Sequence, residues 1–513
     1  MTGNAERMAA RTAAGSLSLE TDRQHAMKPW VAVLALVVLA CVLRFWRLGD
    51  WSFQATEMFT LRDSLVLKVS NPRPLGYVLT HYLVGAFRPL DEFGLRLLPA
   101  IFGVLSIPAL YLVGRPLVGT RAALLSALLL TVSPLHVMYS QLARYWSLVF
   151  LLSAIYPYAL YLGIRDRNRG ALALGLVTGV LAVLAHPVSV LLLGGPGLLL
   201  LAALRREHFA RLWSQKTVRW IVVAALVLLA VIAMRFIPVF RNWIEVHDEN
   251  PGYGQFLLRP NAAPGLKQVF YVMAFVESLT LPLVLSAFLG IYWLWQTRER
   301  PLAWFLASLA AFVIGFLALV SLRTAVSQYY LLPAAPVFFL GAGVFLDRLF
   351  TAECPLRPRW LLPAMLTVII VAAGVPTLVS DARDGRRYDF RGGARWLAAR
   401  LAPDDLVFSD QPMVLAHYLP QAQVHHLRQD LAPLDASVRA LRQTGRGGAL
   451  WLVAPAPSHA FRTNMRQGGL IDWIYENCQL RNNIGVGRVD LRQQYLHIYR
   501  CPPAVPDASS PDR

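Results

Sequence analysis

Charge is what this sequence has least of. Asp, Glu, Lys and Arg make up 15% of its 513 residues, against about 25% in an ordinary soluble domain, and that deficit excludes a soluble enzyme and a disordered chain alike. Acidic residues are the scarcer sign, 30 against 49 basic ones, which leaves a formal net charge of +19. Such an excess can signal nucleic acid, but the placement of the basic residues points elsewhere. They fill every second short loop: Arg115 and Arg121; Arg165, Arg167 and Arg169; Arg205, Arg206, Arg211, Lys216 and Arg219; Arg298 and Arg300; Arg348, Arg357 and Arg359. This is the signature of cytoplasmic loops, and no nucleic-acid partner is expected. Only four cysteines occur, with no Cys/His spacing suited to a metal. No internal repeat is visible, whereas many transporters are built from repeated halves.

Long apolar runs are what the chain has in place of charge. Stretches such as Trp30 to Arg44, Ala122 to His136 and Trp220 to Arg235 approach the length needed to cross a hydrocarbon core of about 30 Å. The chain therefore reads as a polytopic α-helical membrane protein of about eleven spans, near residues 30–47, 94–113, 120–138, 145–164, 171–185, 188–204, 218–236, 269–295, 302–321, 328–346 and 360–380. The two short stretches around His186 and Pro187 count as separate spans because the charge alternation requires it; as one broken element they would reverse everything downstream. The tail 1–29 is expected in the cytoplasm. It lacks a signal-peptide cleavage pattern, so the first span reads as a retained anchor.

Two long loops, 48–93 and 237–268, fall on the outer face, and long loops in a compact fold are usually functional. After Ser380 the pattern alternates. Phe390 to Leu401 reads as a helix, Leu406 to Ser409 and Ala449 to Val453 as strands, and Val486 to Leu491 with Tyr495 to Arg500 as a closing pair. Residues 381–513 are thus expected to form a small extracytoplasmic α/β domain with a disordered tail from about 502. Cys478 and Cys501 both fall in it and can pair in an oxidising compartment; two free buried thiols are the other reading.

The first outer loop runs Trp51-Ser-Phe-Gln-Ala-Thr56-Glu57-Met-Phe-Thr-Leu-Arg62-Asp63 and reaches Asn71-Pro72-Arg73-Pro74-Leu75-Gly76-Tyr77. Met58, Leu61, Leu65 and Val69 share one helical face, which suits a helix lying along the membrane surface with Glu57 at its start. Glu57 is either a helix-dipole partner or a carboxylate held where a lipid-linked substrate meets a polar acceptor. Arg144 and Arg323 are cations on outer turns that otherwise lack them, either lipid-headgroup contacts or ligands for an anion. Tyr145, Tyr329 and Tyr330 are hydroxyl donors or interfacial belt residues. His81, His136 and His186 lie near the same face, where a satisfied local hydrogen bond is the ordinary role. The acidic cluster Glu245, His247, Asp248 and Glu249 reads as a solvated loop.

The loop motif, Arg96-Leu-Leu-Pro-Ala-Ile-Phe-Gly103, the run Ser133-Pro134-Leu-His136-Val-Met-Tyr139-Ser-Gln-Leu-Ala-Arg144-Tyr145, and Tyr330-Leu-Leu-Pro333-Ala-Ala-Pro336 together resemble the GT-C class of polyprenyl-phosphate-sugar-dependent glycosyltransferases. That class includes relatives of protein O-mannosyltransferases, of the aminoarabinose transferase of lipid A and of lipopolysaccharide-core galacturonosyltransferases. The resemblance covers roughly residues 30–345 and departs at three points. Thr56 stands where the family has its catalytic Asp, Leu142-Ala143-Arg144 replaces Glu-Ala-Arg, and Gln328 and Tyr329 stand where an Arg commonly precedes the Tyr-Leu-Leu-Pro element.

What the resemblance implies is a bacterial inner-membrane, cell-envelope transferase, moving a hexose- or pentose-type sugar from a polyprenyl phosphate to an extracytoplasmic lipopolysaccharide, lipid, glycan or protein. A carboxylate would act as general base, with Glu57 first and Asp63 second, and Arg144, Tyr145, Arg323 and Tyr330 would meet the donor phosphate. Some relatives bind a divalent metal; this sequence offers no ligand set for one and implies no certain cofactor. A transporter or lipid flippase, and a catalytically degenerate scaffold of the same fold, are the rival readings.

Overall fold

The computed structural model describes residues 29–67, 73–203, 267–297, 299–321, 326–351, 360–385, 388–427, 448–455, 469–487 and 493–501, with the single positions 358, 434 and 436. The span expected at 218–236, the outer loop 237–268 with its acidic cluster, the terminal tails, Arg323 and Cys354 lie outside the described residues.

Helices occupy each apolar stretch that the description covers, and they make a multi-pass membrane protein. Five are long and apolar enough to cross a bilayer, Glu92–Val118, Trp146–Arg165, Arg300–Ser321, Gln328–Phe350 and Leu361–Asp384, and seven if each of two bent pairs counts as one span. Two of the expected spans are the bent pairs. The stretch 120–138 turns by 61° between Thr131 and Pro134, and 269–295 turns by 93° between Leu279 and Leu281. Proline explains both places. Pro134 is the first residue and Pro282 the second of a new helix, where their missing N–H costs nothing, and Ser133, just before Pro134, is extended as a pre-proline residue prefers. Thr280, at the second bend, is forced to a φ of 75°.

Small residues let the helices approach. A Cβ added at Gly290 would fall 1.9 Å from the Gly341 carbonyl oxygen, so the helices Leu281–Gln296 and Ala335–Thr351 cross backbone to backbone, as close packing in membranes favours. Arg44, in the first helix Pro29–Phe45, is wholly buried. Its guanidinium donates to the carbonyls of Thr131 at 3.1 Å and Leu130 at 3.3 Å and to His136 Nδ1 at 2.8 Å. At the bend beside Pro134 the Leu130 carbonyl also accepts the Ser133 N–H, and the arginine supplies a donor to it and to the Thr131 carbonyl.

Beyond Asp384 the chain forms a five-stranded sheet in the order β2-β1-β3-β5-β4, with β1 Leu406–Ser409, β2 Val424–His426, β3 Leu450–Pro455, β4 Gln479–Gly487 and β5 Gln493–Cys501. The first three strands are parallel and β5 runs antiparallel to both neighbours. Strand β2 went unforeseen, and the closing pair begins earlier than the alternation predicted, at Gln479. Cys478 and Cys501 are joined in a disulfide across the start of that pair.

One face of the sheet fixes the site. The helices Phe390–Ala398 and Pro412–Tyr418 pack on it, and a single core joins Phe390, Leu397, Val414, Leu415, Val453 and Ile498 to Phe53, Met58 and Leu61 of the first outer loop. The apolar side of the loop helix Ala55–Leu65 is thus buried under protein instead of lying along the membrane. Met58 and Leu61 gain more from a dry protein core than from a half-polar interface, and of that face only Leu65 is exposed among the described residues.

Candidate active site

The site is built where three loops meet above the helices: the helix Ala55–Leu65, the segment Pro74–Thr80, and the turn after the short helix Pro134–Ser140. Glu57 is at their centre and is fully buried. Arg96 grips it with two parallel bonds, Nε to Oε1 and Nη2 to Oε2, both 2.9 Å. The backbone N–H of Ala143 donates to Oε1 at 2.8 Å and that of Gln54 to Oε2 at 2.9 Å. The remaining Arg96 N–H groups reach the carbonyls of Leu48 at 3.1 Å, Trp51 at 2.8 Å and Ser52 at 3.0 Å. Each Glu57 oxygen accepts two hydrogen bonds and every Arg96 donor is spent, which is the condition under which a buried ion pair is tolerated.

Glu57, expected from sequence as the general base, is held here by four hydrogen bonds. A general base must aim a lone pair at the acceptor's proton, and Glu57 spends both oxygens on Arg96, Gln54 and Ala143. It ties the loop 48–54, the loop helix, the helix Glu92–Val118 and the turn 141–145 into one knot. In the sequence Arg96 shows only as part of a motif, and its one signal is a charge in the second turn of the apolar helix Glu92–Val118.

Asp63 lies nearly two turns further along the same helix and is also buried, at 3% exposure. Its Oδ1 accepts from Arg62 Nε and Nη2, each at 3.0 Å, and the Arg62 side chain is half exposed. Burial above all holds the pKa of the Tyr77 phenol above the usual range, with Arg144 opposing the shift and Asp63 adding to it. Arg144 Nη1 donates to Thr56 carbonyl at 3.2 Å and Thr60 Oγ1 at 3.1 Å, so the loop helix also positions this cation. Tyr145 donates to the hydroxyl of Tyr77, with the two rings edge to face at 5.1 Å. Gly76 makes that possible, since a Cβ there would stand 2.1 Å from the Tyr145 ring.

The ring of Trp146 then leads to His186 and Tyr329, each at 4.7 Å between centroids, and to Tyr330 at 5.8 Å. Arg73 and Arg144 both act on His186 and on Tyr330. Arg73 went unweighed in the sequence, although it opens the Pro74–Thr80 segment. The structure therefore brings together Asp63, Arg144, Tyr145 and Tyr330 of the predicted residues, adds Arg73, Tyr77 and His186, and leaves Arg323 outside the described residues. His136 is spent on Arg44, and His81 Nδ1 is paired with the Ser64 carbonyl at 2.8 Å. Among the described residues no group of three His, Cys, Asp or Glu is arranged to hold a metal ion.

The comparisons with known proteins cover part of this region by sequence and most of the chain by fold. Residues 74–236 match the model of the dolichyl-phosphate-mannose-protein mannosyltransferase family. No curated protein matches the chain by sequence. Among solved structures, ArnT from Cupriavidus metallidurans bound to undecaprenyl phosphate is similar at a TM-score of 0.54 and 16% identity, over 95% of this chain and 100% of that one. Its apo state is similar at a TM-score of 0.54 and 15% identity, over 91% and 97%. The archaeal oligosaccharyltransferase AglB from Archaeoglobus fulgidus, in complex with an inhibitory peptide and a dolichol-phosphate, gives a TM-score of 0.54 at 11% identity, over 86% and 71%. In one stretch of sequence and in the fold of most of its length, the chain resembles the GT-C polyprenyl-phosphate-sugar glycosyltransferases.

Proposed function

We propose that this protein is a glycosyltransferase that moves a sugar from a polyprenyl phosphate to an acceptor on the outer side of a bacterial inner membrane, with eleven spans and an extracytoplasmic C-terminal α/β domain of residues 381–513. The observation that carries the reading is that the loop helix Ala55–Leu65 bears the buried carboxylate Asp63 and also holds the cation Arg144, through the Thr56 carbonyl and Thr60 Oγ1, where the outer loops meet. The reaction needs that set. A hydroxyl or amine of the acceptor attacks the anomeric carbon, the bond from that carbon to the phosphate oxygen breaks, and the polyprenyl phosphate leaves with the electron pair. Asp63 takes the acceptor's proton, a role that contributes about 10² to 10⁴ in rate. Arg73 and Arg144, with Tyr145 and Tyr330, meet the charge that grows on the leaving phosphate, where fixed donors in a dry site are most effective. Arg323 is proposed as a further phosphate partner from the sequence alone. Glu57 positions the helix that carries Asp63.

Undecaprenyl phosphate bound to the structurally similar ArnT, and dolichol phosphate bound to AglB, support a lipid phosphate as the donor's carrier. The experiment is reconstitution in liposomes with polyprenyl-phosphate sugars and a mixture of envelope acceptors. Sugar appearing on an acceptor, with free polyprenyl phosphate in equal amount, is the expected result. Movement of intact lipid-linked sugar between leaflets without transfer would favour a flippase and overturn the reading.

A further inference from the structure

The C-terminal sheet region does more than cover the outer loops: three of its side chains hold the same stretch of backbone that Arg96 holds from below. Tyr418, at the end of the helix Pro412–Tyr418, donates its hydroxyl to Glu92 Oε1 at 2.6 Å and accepts from the Phe53 N–H at 2.8 Å. Burial and the bond to Glu92 raise its pKa above the usual phenol range, so it stays protonated and keeps donating. Arg391 Nη2 reaches the same Glu92 oxygen at 2.6 Å and the Gly49 carbonyl at 3.2 Å. Its backbone N–H donates to Ser52 Oγ at 3.0 Å, and that hydroxyl donates onward to Asp389 Oδ1 at 3.1 Å.

Residues 49–53 are thus clamped from above by Asp389, Arg391 and Tyr418 and from below by Arg96, which accepts no slack because all its donors are committed. From Arg96 the chain of contacts passes to Glu57 and from Glu57 to the Ala143 N–H. Asp63 is carried by the helix that Glu57 starts, and Arg144 is the next residue after Ala143. The two groups assigned to chemistry are therefore set, relative to each other, by one knot with an anchor in the sheet region.

We infer that Tyr418 and Arg391 are positioning residues for the transfer reaction, acting through Glu92, the 49–53 backbone and the Arg96–Glu57 pair on Asp63 and Arg144; this rests on the function proposed above. A loosened knot misplaces the base more than it weakens capture of the long lipid donor, so turnover should fall while donor affinity holds.

The test uses the full-length protein in nanodiscs. Tyr418→Phe removes the hydroxyl and little else. Its kcat per folded molecule should fall about tenfold, the cost of one buried hydrogen bond to a charged group, with donor KM changed far less. In a Glu57→Gln background the same substitution should cost much less, because the path is already cut. Hydrogen exchange in Tyr418→Phe should speed up at amides 49–58 and also at 141–145. Unchanged kcat per folded molecule, an equal cost in both backgrounds, or faster exchange confined to residues 388–427 would each overturn the inference. Should wild-type protein transfer no sugar, the functional reading fails by itself, and the spread of exchange to 141–145 still decides the clamp.

Discussion

The two ends of the helix Ala55–Leu65 carry one buried carboxylate each and treat it differently. At the first end Glu57 has both oxygens saturated by Arg96, Gln54 and Ala143, with both members of the ion pair fully buried. At the second, Asp63 pairs with an Arg62 whose side chain is half exposed. Burial alone would rank the two alike. What separates them is the company each keeps: Glu57 is bound to a guanidinium that is itself fully buried, and Asp63 to one whose side chain is half exposed, so the first pair is sealed and the second borders solvent.

Breaking the first end should have the largest effect. Glu57→Ala or Arg96→Ala leaves an unpaired charge in a dry site, and destabilisation of about 3 to 5 kcal/mol is expected. Thermal unfolding of the purified variants in detergent checks it; loss below about 1 kcal/mol, the value of an exposed pair, would mean that the knot is not closed. At the second end, Arg144→Ala should leave folding nearly intact and weaken donor binding by about 1.5 to 3 kcal/mol, the contribution of a charge-assisted hydrogen bond. Titration with polyprenyl phosphate measures this, and unchanged affinity would remove Arg144 from the phosphate site.

The smallest effect concerns the sheet region, where Asp410 follows β1 with its Oδ1 buried and without a partner. Burial raises its pKa to about 7, outweighing the hydrogen bonds from Gln411 and Ser409 that lower it. A carboxyl raised in the folded state favours folding while it is protonated. That contribution is lost as pH rises from the ordinary aspartate value of 3.8 through about 7. Asp410→Asn should therefore raise the unfolding temperature at pH 8 and change it much less at pH 5. An equal shift at both values would show that Asp410 is solvated.

Much of this was legible in the sequence, for reasons particular to each part. The spans announce themselves because a hydrocarbon core tolerates only long apolar helices, and β1 and β3 through a short apolar run between turn signals. Cys478 and Cys501 could be paired because both fall beside the closing strands. The bends were less visible, since Thr280-Leu281-Pro282 sits inside an unbroken apolar stretch. The different surroundings of Glu57 and Asp63, on which the proposed division of labour rests, were hidden altogether. They depend on Arg96, 39 positions away from Glu57, and on the Ala143 amide, and no local pattern shows which of two acidic residues on one helix a distant arginine will claim. The burial of Met58 and Leu61 beneath a sheet more than three hundred positions later was hidden for the same reason.

The most direct test of that division is the single-turnover transfer rate of Asp63→Asn with donor already bound. The substitution keeps the shape and removes the basicity. A rate lower by about 10² or more, with donor affinity and unfolding temperature near those of the wild type, is the predicted result. Transfer at close to the wild-type rate would contradict the assignment and return the base to another group.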